Sequence, residues 1–167
     1  MKKTNIEICL TENAQVILQR LGLDPEKYGS AYNGESAGLD LYNIGPEVNI
    51  LSRNKWTAFG EKSVQIPTGV RVNIPMNMVG LIKGRGSITQ TGLIVRAGVI
   101  DAGYTGEIFV NLVNIGERDT TVNPGAKLPV QLVVLPCHNI FKTITYTDYM
   151  KSMDQSKRMG GSLGSSD

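Results

Sequence analysis

Cysteine is scarce in this chain of 167 residues: only Cys9 and Cys137 occur, far apart. That separation gives no metal-ligand spacing and no disulfide framework, so a reduced, intracellular setting is expected and Cys137 reads as a packed thiol. Histidine occurs once, at His138 past the last apolar run, and is assigned no catalytic role. No run approaches about 18 apolar residues, so no membrane span is expected. The start, Met1-Lys2-Lys3-Thr4-Asn5, is basic without a long apolar core, which argues against a signal peptide. Excess charge of one sign is also missing. Seventeen Lys and Arg against 15 Asp and Glu leave a net charge of +2, too little to make nucleic acid the main partner.

What is present is 41% hydrophobic and 19% charged residues, enough for one ordered domain with a real core. Residues 5–10 alternate at Ile6, Ile8 and Leu10 and predict a short strand. Thr11 is placed to cap a helix, with Glu12 in its first turn and Ala14, Ile17, Leu18 and Leu21 on one face; Gly22 is the stop. Residues 25–36 read as a loop. From Ala37 onward short β-rich runs recur, at Val64–Ile66, Val70–Ile74, Val79–Ile82, Leu93–Val95, Ile108–Val113 and Leu132–Leu135, with Gly, Pro and Asn between them. No further long helical pattern is read. This texture predicts an all-β sandwich or barrel. Residues 43–60, with Pro46, Trp56 and Gly60, read as a long connection or an excursion from the sheet, and Glu117 and Asp119 as solvated turn residues. Residues 156–167 are Gly/Ser-rich and read as a flexible tail after one β domain over 1–155, whose first 36 residues form a helix-bearing extension.

The most pointed stretch is Gly98-Val99-Ile100-Asp101-Ala102-Gly103-Tyr104-Thr105-Gly106-Glu107-Ile108. An apolar lead ends in one carboxylate, at the rim of a core where its pKa and orientation can be controlled. Three residues later a tyrosine supplies a flat ring for a sugar or a base. Alone, the stretch reads equally well as a strand ending in an Asp-Ala-Gly turn. Four other segments stand beside it. Ala37-Gly38-Leu39-Asp40-Leu41-Tyr42 sets one acid in an apolar run. Gly84-Arg85-Gly86-Ser87 is a small-residue turn with one guanidinium. Gln131-Leu132-Val133 opens a strand with an amide, and Arg158 to Ser166 closes the chain with glycine and serine.

In this order and spacing the five segments resemble the five motifs of the trimeric deoxyuridine triphosphatases (dUTPases), from Ala37 to about Leu135 and again from Arg158. Thr68-Gly69-Val70 followed by Ile74-Pro75 matches as supporting sequence. The resemblance implies a jelly-roll β-barrel or sandwich and a homotrimer with three sites at subunit interfaces. Each site draws motifs from more than one chain, and the C-terminal tail closes as a lid. The implied reaction takes dUTP and water to dUMP and pyrophosphate with Mg2+, keeping uracil out of DNA and supplying dUMP. Implied partners are dUTP and sister subunits, with no nucleic acid or membrane. The implied location is the cytoplasm, or a host-cell interior for a viral source.

Roles follow residue by residue from the resemblance. Asp101 orients the attacking water and contacts the 3′-hydroxyl, and Tyr104 lies under the deoxyribose. The turn at Ala97-Gly98, with Val99, on a hairpin Leu93–Tyr104, reads the uracil edge through its backbone, where mismatched hydrogen bonds reject other bases strongly. Asp40 holds magnesium through water, together with substrate phosphates; such a site needs no His/Cys cluster. Arg85, Gly86 and Ser87 lie in the phosphate-contacting turn. Gln131 sits near base and phosphates. Arg158 pairs with the γ-phosphate, and Gly161, Gly164 and Ser165 let the tail wrap over the triphosphate.

The chain departs from the pattern in places. Gly86 stands where serine usually follows the arginine, so Ser87 takes over only if the turn is re-registered. Residues 125–131 are one residue longer than usual, with Pro129 stiffening them and Lys127 near the usual cation. Leu163 replaces a tail aromatic, losing stacking worth about 1–3 kcal/mol per base in single-strand binding, and Met159 replaces a glycine. These departures keep alternatives in view. One is a catalytically weak nucleotide-binding or regulatory trimer. The others are a dCTP deaminase or a dCTP-dUTP hydrolase, although Asn111 stands where the deaminases carry a glutamate and Gln90 where they carry an arginine. Trp56 belongs to the core or the trimer surface.

Overall fold

The computed structural model of the chain describes residues 5–25, 28, 35–56, 62–138 and 142–154. It divides into two compact units, the first ending at Cys137 and the second beginning at His138. The first holds β1 (Glu7–Leu10), helix α1 (Glu12–Arg20), β2 (Leu39–Tyr42), β3 (Val48–Ile50), β4 (Val64–Pro67), β5 (Val70–Asn73) and β6 (Met78–Gly84). It continues with β7 (Leu93–Val95), β8 (Val99–Ile100), β9 (Phe109–Asn114), β10 (Thr120–Val122) and β11 (Lys127–Pro136). The strands pair antiparallel in four short sheets, ordered β2-β11-β6-β8, β4-β9-β7, β1-β5 and β10-β3. This is the all-β architecture that the strand-and-turn texture predicts.

Period-two alternation decides which residues reach the site. On β5, Val70 and Val72 are buried while Arg71 and Asn73 are exposed. On β11, Leu128, Val130 and Leu132 point into the core, leaving Pro129, Gln131 and Val133 on the opposite face. Leu41, Ile50, Ile66, Val110 and Leu112 complete the centre of that core. Two buried asparagines tie the loops to it. Asn43 donates to the carbonyls of Pro46, Val122 and Asn123, and its Oδ1 accepts from Gly45 N. Asn114 donates to Ile50 O and Arg118 O, and its Oδ1 accepts from Gly116 N. Buried amides satisfied this fully stabilise the packing that encloses them.

Helix α1 begins as expected. Thr11 Oγ1 accepts from Ala14 N at 3.3 Å, Ala14 and Leu18 are buried, and Gly22 follows with φ +70°. Leu21, expected on the buried face, is exposed. Residues 43–60 carry more structure than an excursion in their described part, because β3 pairs with β10 and is followed by a 3-10 turn at Arg53–Lys55. That turn is held by the two acids expected to be solvated. Asp119 Oδ1 accepts from Ser52 N at 3.0 Å and its Oδ2 meets Lys55 Nζ at 2.7 Å, while Glu117 pairs with Arg53. Sequence separations above 60 hide these partners from local reading. The second unit contains helix α2 (Tyr146–Asp154), which the periodicity analysis misses. Its signal is a capping pair: Thr145 Oγ1 accepts from Asp148 N and donates to Asp148 Oδ2.

The Lys55 ammonium and the Ser52 amide lower the Asp119 carboxyl from 3.8 to about 2. A folded pKa below the unfolded value contributes stability above the unfolded pKa and loses it as pH falls toward the folded one. Asp119→Asn is therefore expected to melt below the wild type at pH 7, with the gap closing between about pH 4 and pH 2; thermal melts across that range check it.

Candidate active site

The run through Asp101 changes sheets. Strand β7 pairs with β9, whereas β8 pairs with β6, so Leu93–Tyr104 is a crossing between sheets and not the paired hairpin that the sequence predicts. Ala97 and Gly98 make the crossing with φ +60° and +120°. A side chain at Gly98 is strained in that conformation and would press on Ile82. Gly98 O accepts from Ile82 N at 2.8 Å on one side of the crossing, and Asn111 O accepts from Arg96 N at 2.9 Å on the other. The crossing is pinned to both sheets.

Beyond it, Asp101 is exposed, and Asp101 O accepts from Tyr104 N at 3.2 Å to close the turn. The Tyr104 hydroxyl donates to Glu107 O at 3.0 Å, and the ring lies over Gly106, where a Cβ would collide with it. Glu107 Oε1 accepts from Gly69 N at 2.8 Å, and Thr68 Oγ1 donates to Ile108 O at 2.6 Å. Sequence reasoning assigned nothing to Glu107; its signal is a carboxylate directly after the ring-bearing turn. Asp101, Tyr104, Ala97, Gly98 and Val99 line one cavity of about 350 Å³, together with Gln65 and Asn111.

A second constellation forms on β2, β6 and β11. Asp40 is buried and lies opposite Gln131 across the β2–β11 pair. Lys127 lies opposite Tyr42, so four residues of β11 span two of β2: a register shift absorbs the long 125–131 segment. Through that shift the Lys127 Nζ reaches Asp40 Oδ2 at 2.5 Å, while Arg85 Nε reaches Oδ1 at 2.8 Å. Arg85 N also donates to Pro129 O at 2.9 Å, which ties the Gly-Arg-Gly-Ser turn to the shifted segment. One carboxylate between two cations leaves a net positive cluster. Arg85, Ser87 and Lys127 line a separate cavity of about 420 Å³. Gly86 is exposed with open space around it, so Ser87 is the hydroxyl that accompanies Arg85 into this cavity.

Within one chain, then, Asp40, Arg85, Ser87 and Gln131 cluster on one set of strands, while Ala97, Gly98, Val99, Asp101 and Tyr104 line another cavity. Arg158, Gly161, Leu163, Gly164 and Ser165 lie outside the described residues.

Removing the Asp40 charge leaves the half-buried Arg85 guanidinium and the exposed Lys127 ammonium close together without a counter-ion. Breaking a buried ion pair on one side is costly. Asp40→Asn is expected to lower unfolding stability by about 1–3 kcal/mol, the cost of leaving hydrogen-bonding partners unsatisfied, measured by denaturant titration; an unchanged midpoint would show that the cations relax into solvent.

Residues 30–166 match the dUTPase family model. A deoxyuridine 5′-triphosphate nucleotidohydrolase of Escherichia phage T5 is 39% identical over 140 residues, covering 79% of this chain and 86% of that protein. One from Gloeobacter violaceus is 31% identical over 156 residues, covering 91% and 96%. The Pol polyprotein of equine infectious anemia virus is 40% identical over 74 residues, and there the match spans 44% of this chain and only 6% of the polyprotein. Among solved structures, native EIAV dUTPase superposes with a TM-score of 0.55 at 32% identity, covering 66% of this chain and 84% of the other. Staphylococcus bacteriophage 80alpha dUTPase with dUpNHpp shares the fold, with a TM-score of 0.72 at 20% identity over 99% of both chains. The family match over most of the chain, on top of the two constellations, places this protein in the dUTPase family.

Proposed function

We propose that this chain hydrolyses dUTP to dUMP and pyrophosphate through water attack at the α-phosphorus, in homotrimers whose sites are each shared between chains. The observation that carries this reading is the separation of the two constellations. The Asp101 cavity offers a carboxylate, a ring and a backbone turn, but none of the Arg85, Ser87 or Lys127 cations and hydroxyls lines it. A triphosphate nucleotide needs both sets. Neighbouring copies of the chain bring them together.

In this reading the base enters beside the Ala97–Gly98 turn, whose backbone groups read its edge, and the deoxyribose rests on the Tyr104 ring. A ring fixed by its hydroxyl bond to Glu107 O leaves no freedom to make room for a 2′-hydroxyl. Asp101 accepts the proton of the water and aims it at phosphorus, which is general-base and positioning work. The Arg85 guanidinium, pre-set by Asp40, meets the charge that develops on the phosphate oxygens. The described residues hold no cluster of three His, Cys, Asp or Glu side chains able to hold a metal. A hydrated Mg2+ completed by substrate phosphates needs no such cage. Asp40 fits it through water: an ionised carboxylate has about four lone-pair directions, and Arg85 and Lys127 take two. When bound, the ion neutralises phosphate charge and polarises the phosphoryl oxygens. The tail residues Arg158 to Ser165 would close over the triphosphate, and the cytoplasm or a host-cell interior is the setting proposed for the reaction.

The test is pyrophosphate release with magnesium from dUTP, dCTP, dTTP and UTP. The wild type is expected to prefer dUTP, and Asp101→Asn to lose about 10²- to 10⁴-fold in kcat. Near-normal turnover by that variant would remove Asp101 from the chemistry, and ammonia release in place of pyrophosphate would point to deamination.

A further inference from the structure

Tyr104 stands between two cavities. One holds Asp101. The other, of about 430 Å³, is lined by β1, β5 and the turn Gly103-Tyr104-Thr105. Apart from its contact with Gly106, the ring therefore borders open space, and Tyr104 is 44% exposed. Its tilt depends on hydrogen bonding more than on packing.

The Tyr104 hydroxyl ends on a single peptide. Glu107 O accepts it, and the N–H of the same peptide, Ile108 N, donates to Val70 O at 2.7 Å. A peptide held by one bond can pivot about it. Thr68 grips the following peptide at Ile108 O, on the β9 side, and leaves the turn side to Glu107. There the Glu107 side chain supplies the second hold, because its Oε1 accepts from Gly69 N at 2.8 Å. Gly69 is a firm anchor. It is buried, its carbonyl accepts from Thr11 N at 2.8 Å at the start of α1, and a Cβ there would collide with Ala14. The tether thus runs from the start of α1 through Gly69 and the Glu107 side chain to the peptide that carries the ring's hydroxyl bond. Glu107 also lines the Asp101 cavity, where a second negative charge disfavours an anionic ligand. Only its acceptor oxygen is needed for the tether, and an amide would serve as well.

Resting on the proposed function, we infer that Glu107 is a positioning residue: its side chain, bonded to Gly69 N, keeps the Tyr104 ring at the tilt that rejects a 2′-hydroxyl. It touches no reacting atom. Without that bond the peptide between Glu107 and Ile108 pivots, the ring recedes toward the second cavity, and a ribonucleotide gains room.

The experiment measures kcat/KM for dUTP and for UTP in the wild type, Glu107→Gln, Glu107→Ala and Glu107→Leu. The dUTP:UTP ratio is the readout, because the two nucleotides carry the same charge and a general loss of folded protein lowers both rates alike. Glutamine keeps an acceptor for Gly69 N and is expected to hold the ratio within about twofold of the wild type. Alanine and leucine remove the acceptor and are expected to lower the ratio about tenfold, the size of one lost hydrogen bond. Either suffices if the other does not fold; if neither folds, Tyr104→Phe, which cuts the tether at the ring, is read in the same way. A folded variant without the acceptor whose ratio stays within about twofold of the wild type overturns the assignment, and so does a Glu107→Gln variant that loses as much as the others. If the wild type releases no pyrophosphate from dUTP, the proposed function falls, and amide hydrogen exchange decides the tether. The Gly69 and Tyr104 amides are then expected to exchange faster in Glu107→Ala than in the wild type and Glu107→Gln, and unchanged exchange overturns it.

Discussion

One buried carboxylate organises the cationic cluster of this protein. Asp40 sits on β2 with Arg85 on one oxygen and Lys127 on the other. Neither cation comes from a neighbouring position in the chain; one follows β6 and the other begins β11. The carboxylate thus ties three strands' ends together and holds two positive groups at the mouth of one cavity. Two cations around one acid leave positive charge unspent, and a phosphate chain can use it. The register shift in β11 is part of the same device, because it brings Lys127 to the acid while Gln131 keeps its place opposite Asp40.

The reading half depends on a different constraint. Between β7 and β8 the chain passes from one sheet to another, and the two positive-φ residues at the passage present backbone groups to a cavity. Bonds from Ile82 and to Asn111 hold the passage on both flanks. A turn fixed at both ends is pre-organised for recognition, whereas a free hairpin tip would have to be ordered by its ligand. Thr68, Gly69 and Glu107 extend this rigidity to the turn that carries Asp101 and Tyr104. The Tyr104 ring and the Asp101 carboxylate are thereby set by the same strands as the core.

Much of this was legible from residue types. Alternation located β1, short β-rich runs between turn residues located β4, β5, β6, β7, β9 and β11, and Thr11 and Gly22 bracketed α1. The order of the five segments pointed to the family that the comparison with known sequences then established. Other features were not legible, each for a physical reason. The partners of Asp119 lie more than 60 residues away, so nothing local marks it as a clamp. The hairpin Leu93–Tyr104 that the resemblance implies is a sheet switch, and local sequence cannot show this because the partners of β7 and β8 are the outside strands β9 and β6. The 125–131 segment reads as one residue longer than usual; only the strand register shows that a shift of β11 against β2 absorbs it.

The claim beneath all of this is that the reading half and the anion half of a working site come from different chains. Mixing subunits tests it most directly. Asp101→Asn and Arg85→Ala chains, each inactive alone, are combined in equal amounts under conditions that allow reassortment. With shared sites, random assortment gives about a quarter of the sites an intact pair, so dUTP hydrolysis returns to about a quarter of the wild-type level. Hybrids no more active than their parents would mean that each chain must supply both halves itself, and the account would be wrong.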